Sequence, residues 1–126
     1  MKPVIVAIDF DGTVVLHRYP EVGEDLPHCV DVLKQLVAKG YKLILFTVRS
    51  TGNHLGDAVQ WFNDREIPLW GINRNPSQSG WSSSPKAYAN IYIDDTALGC
   101  PLINGNRSDG VDWYEVEKYL IKLGIL

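Results

Sequence analysis

Acidic side chains at the ends of two apolar runs are the residues best suited to chemistry in this sequence. Asp9 and Asp11 follow the apolar residues 4–8, and Asp94 and Asp95 follow the short apolar run 91–93. A continuous apolar run rich in β-branched residues is typical of a parallel strand that is buried on both faces. The carboxyl ends of such strands form the ligand-binding edge of open α/β sheets, so we expect these carboxylates to converge there.

The first acidic pair also fits a simpler interpretation. Asp11-Gly12 alone is typical of a tight turn, because Asp-Gly is among the strongest turn dipeptides. The second acidic pair favours a shared site, in which several carboxylates would repel one another strongly unless a cation lay among them. With oxygen ligands and no His or Cys, the pattern predicts a hard ion, and water and phosphate as further ligands favour Mg²⁺ over Ca²⁺.

Further polar residues follow the other predicted strands. Thr47 and Arg49 come after the apolar run 43–46, and a hydroxyl together with the planar fork of a guanidinium would suit phosphate oxygens. Thr47 is equally compatible with an ordinary strand-forming role. Lys86 precedes the run 91–93, and on its own it would be a solvated surface residue.

Alternating elements are predicted to position these residues. The strands are predicted at residues 4–8, 42–47, 68–72 and 91–93, with a short edge strand at 100–103. Helices are predicted from about residue 27 to 40, from 53 to about 66 and from about 112 onward, with a short helical or turn segment at 86–90. This order predicts an α/β fold with a doubly wound, mostly parallel, Rossmann-like sheet and helices on both faces. The Ser- and Gly-rich residues 77–85 are either a linker or a substrate-facing loop.

Length and composition narrow the class of protein. The 126 residues predict one domain, 1–126, and a net charge of −3 gives no basic footprint for nucleic acid. The first apolar run is too short for a signal peptide, and no stretch is long enough for a membrane span, so the expected location is cytoplasmic. Cys29 and Cys100 lack metal-ligand spacing and do not resemble a disulfide framework.

Four motifs resemble those of the haloacid dehalogenase (HAD) superfamily of phosphohydrolases. They are the sequence Asp9-Phe10-Asp11-Gly12-Thr13, Thr47 at a strand end, Lys86, and the pair Asp94-Asp95, in the right order across residues 4–95. The resemblance implies an Mg²⁺-dependent phosphatase in which Asp9 is the nucleophile that forms an aspartyl-phosphate. It further implies that Asp11 is the general acid and then the base, which requires Asp11 to be more readily protonated than Asp9.

The same resemblance implies the remaining roles. Thr47 would bind the phosphoryl oxygens, and Lys86 would hold the nucleophile and the phosphate. Mg²⁺ would be bound by Asp9, Asp95 and the backbone carbonyl of Asp11, with Asp94 in support; which of Asp94 and Asp95 is the direct ligand stays open.

No cap domain is expected in this chain. Only 35 residues (12–46) separate Asp11 from Thr47 and only 38 (48–85) separate Thr47 from Lys86, and core elements fill both intervals. A minimal, capless member would have an open site for a bulky or macromolecular phosphate ester, or for a small one enclosed by a second subunit of a homo-oligomer. The expected substrate contacts are Arg49, Arg74, Trp81 and the flap that contains His17 and Arg18.

Two other functions fit the same residues. A receiver domain of a phosphorelay also gathers acids, a Thr and a Lys at its strand ends, but it carries its phosphorylated Asp on a middle strand, whereas the third strand here ends in Asn73. A binding protein that has the motifs without catalytic activity is the other alternative.

Overall fold

A four-stranded parallel sheet organises the molecule. The computed structural model describes residues 3–50 and 52–126. Its strands are β1 (Ile5–Ile8), β2 (Lys42–Leu45), β3 (Gly71–Ile72) and β4 (Ile91–Ile93). Their order is β3-β2-β1-β4, and all three pairings are parallel. The predicted α/β class and parallel sheet are confirmed, and the architecture is consistent with a Rossmann-like fold without a cap domain.

The central strand β1 sets the level at which its neighbours end. Ile8 pairs with Leu45 of β2 on one side and with Ile93 of β4 on the other. The ladder continues one step further, because the Asp9 amide donates to the Ile93 carbonyl at 3.0 Å. The residues that follow β1 and β4 therefore leave the sheet side by side.

The three helices pack on one face of the sheet. They are α1 (Cys29–Ala38), α2 (Asn53–Asp64) and α3 (Trp113–Lys122). Their buried residues form a single core cluster with Val6, Ile8, Leu43 and Leu45. These strand residues alternate along β1 and β2, so they mark one face of the sheet.

The opposite face has a different cover. Ala7 and Ile44 pack there with Ala89, and Trp70 and Phe46 lie against them partly buried. The cover comes from residues 73–90, which contain no helix, so the prediction of helices on both faces is wrong in this detail. The chain reverses direction across the sheet between β3 and β4, and a right-handed connection must then use this second face. Its Ser-, Pro- and Asn-rich sequence lacks the apolar periodicity of a helix.

The predicted edge strand at residues 100–103 does not join the sheet. Leu102 forms only an isolated antiparallel bridge with Val111, and two 3₁₀ turns follow, Ile103–Gly105 and Arg107–Asp109. Pro101 has no N–H to donate, which disfavours a ladder at this point. No helix within residues 3–50 and 52–126 has both the length and the apolar character needed to cross a membrane.

Helix α3 holds the loop that follows β1. The Trp113 side chain is fully buried, and its indole Nε1 donates to the Thr13 carbonyl at 2.6 Å. The Val111 amide donates to the Gly12 carbonyl at 3.1 Å. The C-terminal part of the chain thus fixes the conformation of the acidic loop.

We expect Trp113→Phe to destabilise the protein by about 2 kcal/mol, because it leaves the buried Thr13 carbonyl without its donor and opens a small cavity. Urea unfolding followed by circular dichroism measures this loss. Tyr119→Phe, at an exposed position of the same helix, is the control and should change the free energy of unfolding by less than about 0.5 kcal/mol. Equal effects of the two substitutions would contradict the anchoring role of Trp113.

Candidate active site

Three carboxylates converge where β1 and β4 end. Asp9, Asp94 and Asp95 each offer an oxygen, and these oxygens lie within 4.8 Å of one another. Asp9 and Asp94 are half-buried and Asp95 is buried. The paired register of β1 and β4 is the cause, because it brings the residues after Ile8 and Ile93 to the same level.

Gly12 and Thr13 shape the floor of this cluster. The buried Thr13 hydroxyl donates to Oδ2 of Asp9 at 2.8 Å and accepts from the Asp95 amide at 3.0 Å. Gly12 has a φ of +80°, and a Cβ at this position would collide with the Asp95 carboxylate. Only glycine combines this backbone conformation with the close approach of an acid.

The cluster has an electrostatic cost. Burial raises the pKa of Asp9 to about 7, the charge of Asp94 adds to the rise, and the hydrogen bond from Thr13 opposes it. Burial also raises the pKa of Asp95. A cation among these oxygens would remove the repulsion that disfavours their charged forms.

The donor set fits Mg²⁺. The three converging ligands are carboxylate oxygens, as hard divalent cations prefer. Asp94 is held in place by Thr96, whose amide and hydroxyl donate to Oδ1 at 2.9 and 2.8 Å. The Asp11 side chain lies outside this group, and the resemblance assigned only its backbone carbonyl to the metal.

Asp11 pairs with Arg49 instead. Arg49 Nε donates to Asp11 Oδ2 at 2.9 Å, and the terminal Nη2 donates to Oδ1 at 2.8 Å. This fork occupies both carboxylate oxygens of Asp11. Asp9 is an acid whose pKa is raised, and the expectation that Asp11 is the more readily protonated of the two stays a prediction.

Arg49 is a buried structural cation, with 1% of its surface exposed. Its remaining N–H groups donate to the carbonyls of Pro20, Glu21 and His54 at 3.0–3.1 Å. Its guanidinium also lies 5.0 and 5.1 Å from the ring centroids of Phe10 and Tyr19. All five N–H groups are engaged by the protein, so the structure does not place Arg49 as the predicted substrate contact. It joins the acidic loop, the flap and the start of α2.

A cavity of about 280 Å³ opens above the carboxylates. Its lining residues are Asp9, Asp11, His17, Tyr19, Val48, Asp94, Asp95, Thr96 and Arg107. His17 thus lies where the flap was predicted to meet substrate. Arg18 does not, because it lines a separate depression of the flap with its guanidinium 3.9 Å from Glu24.

Lys86 forms no ion pair with the acids. Its ammonium is 5.3 Å from the centroid of the Tyr92 ring, and among the described residues no carboxylate lies within 4.0 Å of it. Lys86 also does not line the cavity above the carboxylates. The predicted contact between Lys86 and Asp9 is therefore not formed in this structure.

Thr47 is at the predicted sheet edge. Its hydroxyl accepts from the Arg49 amide at 3.1 Å, which leaves the hydroxyl hydrogen available to a substrate oxygen. Its own amide donates to Oδ1 of Asn73 at 2.7 Å. Arg74 lines a different cavity, and Trp81 is exposed and packs edge-on against Tyr88.

Sequence reasoning assigned no role to several residues of the site, among them Thr13, Tyr19, Thr96 and Arg107. Arg107 lines the cavity with Nε 3.9 Å from Oδ2 of Asp95, and it is the cation nearest to the cluster. The sequence does contain a signal for Arg107, because it is the only Lys or Arg between Lys86 and Lys118 and so the only cation that the segment after Asp95 could bring to the acids before α3. No comparable pattern marks Tyr19.

Comparison with known proteins identifies a similar solved structure. No protein-family model matches the chain, and no curated protein matches it. A solved structure of a conserved protein coded by a locus of Bacteroides thetaiotaomicron has a TM-score of 0.78 and 32% sequence identity. The alignment covers 98% of this chain and 93% of that one. This chain belongs to the same family as the Bacteroides protein. The aligned region includes the acidic cluster and the C-terminal helix, and the description of the Bacteroides protein names no activity.

The raised pKa of Asp9 predicts how stability depends on pH. Between the ordinary value of 3.8 and about 7, the folded protein retains a proton that the unfolded chain has released, so stability falls as the pH rises through this window. In EDTA we expect the melting temperature to fall between pH 5 and pH 8, and to fall less in Asp9→Asn. At pH 8 this variant should be more stable than the native chain by at least about 1 kcal/mol.

Thermal melts with and without Mg²⁺ check this. Mg²⁺ should stabilise the native chain more at pH 8 than at pH 5, because metal ligands must be deprotonated. Asp57→Asn, an exposed acid of α2, is the control and should behave as the native chain does. A pH dependence that is unchanged in Asp9→Asn would contradict the assignment of the titration to Asp9.

Proposed function

We propose that the protein is an Mg²⁺-dependent phosphatase of the HAD type, which hydrolyses a phosphate monoester through an aspartyl-phosphate on Asp9. The observation that carries this proposal is the cluster of Asp9, Asp94 and Asp95 at the carboxyl edge of the sheet, with ligand oxygens within 4.8 Å and a cavity above them. The order of the four motifs supports the same reaction.

Asp9, Asp95 and Asp94 would hold the metal. When bound, Mg²⁺ supplies positive charge that neutralises the phosphoryl oxygens and allows an anionic nucleophile to approach them. Thr13 fixes the rotamer of Asp9 through Oδ2. The Asp9 carboxylate lines the cavity, from which it can attack phosphorus.

The reaction has two displacement steps. In the first, an Asp9 oxygen forms a bond to phosphorus, the ester P–O bond breaks, and the leaving oxygen takes up the proton of Asp11. In the second, a water molecule attacks the phosphorus and gives one of its protons to Asp11, while the bond between the Asp9 oxygen and phosphorus breaks and phosphate leaves.

The Arg49 fork positions Asp11 for both steps. It fixes the carboxyl group beside the cavity through both oxygens, at 2.9 and 2.8 Å. Esters whose leaving oxygen is stable as an anion depend less on the proton from Asp11, so we expect them to be the more reactive class.

Positive and hydroxyl groups around the cavity complete the phosphate site. Arg107 lies closest to the acids, and we assign to it the neutralising part that the resemblance gives to Lys86. Thr47 offers its hydroxyl hydrogen from the end of β2.

The open cavity is compatible with a macromolecular substrate, a small one, or closure by a second copy of the chain. A cytoplasmic location remains a prediction, with which the unpaired Cys29 and Cys100 are compatible.

The phosphatase proposal predicts Mg²⁺-dependent release of phosphate from an aryl phosphate. Asp9→Asn should lower kcat by about a thousandfold or more, because it removes the nucleophile. A phosphate-release assay measures this, with Asp57→Asn as the control expected to retain full activity. Full activity in Asp9→Asn would contradict the nucleophile, and activity in EDTA would contradict the metal. Stable phosphorylation from a small donor without turnover would favour the receiver alternative.

The Arg49 fork predicts a loss of activity when its geometry changes. Arg49→Lys keeps the charge but loses the bidentate geometry, so we expect kcat to fall about 10- to 100-fold as Asp11 becomes misaligned. Steady-state kinetics, with circular dichroism to verify folding, test this. An unchanged kcat in a folded Arg49→Lys variant would contradict the positioning role of Arg49.

A further inference from the structure

A second cavity lies in the segment that follows β3. It has a volume of about 290 Å³ and is lined by residues between 73 and 87, most of them Ser, Asn and Gln together with Arg74. We call it the serine groove. The phosphatase chemistry described above uses none of its lining side chains.

Two buried amides build the serine groove. Asn75 and Gln78 are 6% and 7% exposed. Asn75 donates to the Tyr88 carbonyl at 2.9 Å, and Gln78 donates to the Lys86 carbonyl at 2.9 Å and accepts from the Tyr88 amide at 2.8 Å. These bonds tie both ends of the Ser-rich loop together, so the loop is a formed cleft and not a linker.

The serine groove starts at the same sheet edge as the acidic cluster. Asn73 follows β3 directly, lines the groove and accepts from the Thr47 amide at 2.7 Å. Neighbouring strands lie about 4.8 Å apart, and β3 is two strands from β1, so the groove begins about 10 Å from Asp9. Thr47 stands between the two cavities.

The chemistry of the serine groove is that of an anion site. None of its lining residues is acidic. Arg74 forms no ion pair with any residue in the ranges that the structure describes. Ser82 and Ser84 accept from backbone amides at 3.1 and 3.2 Å, so their hydroxyl hydrogens are left to donate. The adjoining cavity, in contrast, is lined by four carboxylates.

We propose that the serine groove binds a second anionic group of the substrate, through Arg74 and the serine hydroxyls. Combined with the proposed function, on which this step rests, the substrate is a phosphate monoester that carries another phosphate or a carboxylate about 10 Å from the reacting phosphorus. The acids and their metal take one end of such a molecule, and the serine groove takes the other.

Binding tests the groove without catalysis. Inorganic phosphate is titrated into the metal-free protein while ¹H–¹⁵N spectra follow the Arg74 Nε–H and the amides of residues 77–84. We expect these signals to shift and Arg74→Gln to abolish the shifts. Lys39→Gln, which removes one charge at the end of α1, should leave them unchanged. Shifts that persist in Arg74→Gln, or that never occur, would overturn the proposal.

Kinetics test the substrate class. Hexane-1,6-diol bisphosphate and hexyl phosphate share the reacting group and differ only in the second anion. The native chain should prefer the bisphosphate at least tenfold in kcat/KM, and Arg74→Gln should remove this preference while changing the rate with hexyl phosphate less than twofold. Equal kcat/KM for the two esters would overturn the inference while leaving the phosphatase intact. Phosphate binding at Arg74 without hydrolysis of either ester would instead contradict the proposed reaction and support the anion site.

Discussion

The cost of charging three carboxylates in a partly buried place is the constraint on which the rest of the site depends. Burial is the largest part of this cost, and repulsion adds to it because strand register brings oxygens of Asp9, Asp94 and Asp95 within 4.8 Å of one another. The chain does not relieve the strain by spreading the acids apart. Gly12 allows the closest approach, and Thr13 connects Asp9 to Asp95. A cation among these oxygens would lower the cost of charging them, and this supports the proposed metal site.

A fourth acid is treated in the opposite way. Asp11 receives its cation from within the chain, since the buried Arg49 donates to both of its oxygens and uses every remaining N–H on backbone carbonyls. Removing one partner of a buried pair leaves an uncompensated charge, so this pair must form whenever the protein folds. The acids at the edge of the sheet thus fall into two classes: one is neutralised by a buried cation of the protein, and three form the cluster that we propose to hold a metal ion.

The sequence patterns predicted the site where strand register alone determines position. The buried runs before Asp9 and Asp94 defined β1 and β4, and two parallel neighbours must end together. Prediction failed where the chain leaves the sheet. The two-residue spacing of Thr47 and Arg49 predicted that both side chains face the site, as they would on a strand. However, β2 ends at Leu45, and the Arg49 side chain points into the protein, where it pairs with Asp11, 38 residues earlier in the chain. Spacing along the chain also could not show that the Lys86 ammonium lies over the Tyr92 ring, 5.3 Å from its centroid.

The C-terminal third of the chain completes a site that the motifs place entirely before residue 96. Arg107 supplies the cation nearest to the acids, Val111 holds the Gly12 carbonyl, and Trp113 holds the Thr13 carbonyl. Without these contacts the carbonyls of Gly12 and Thr13 would lose their hydrogen-bond donors. Gly12 would then be free to leave the backbone conformation that makes room for the Asp95 carboxylate. The match to the Bacteroides protein covers 98% of the chain, so this dependence of the acidic loop on the last helix lies within the region that the two proteins share.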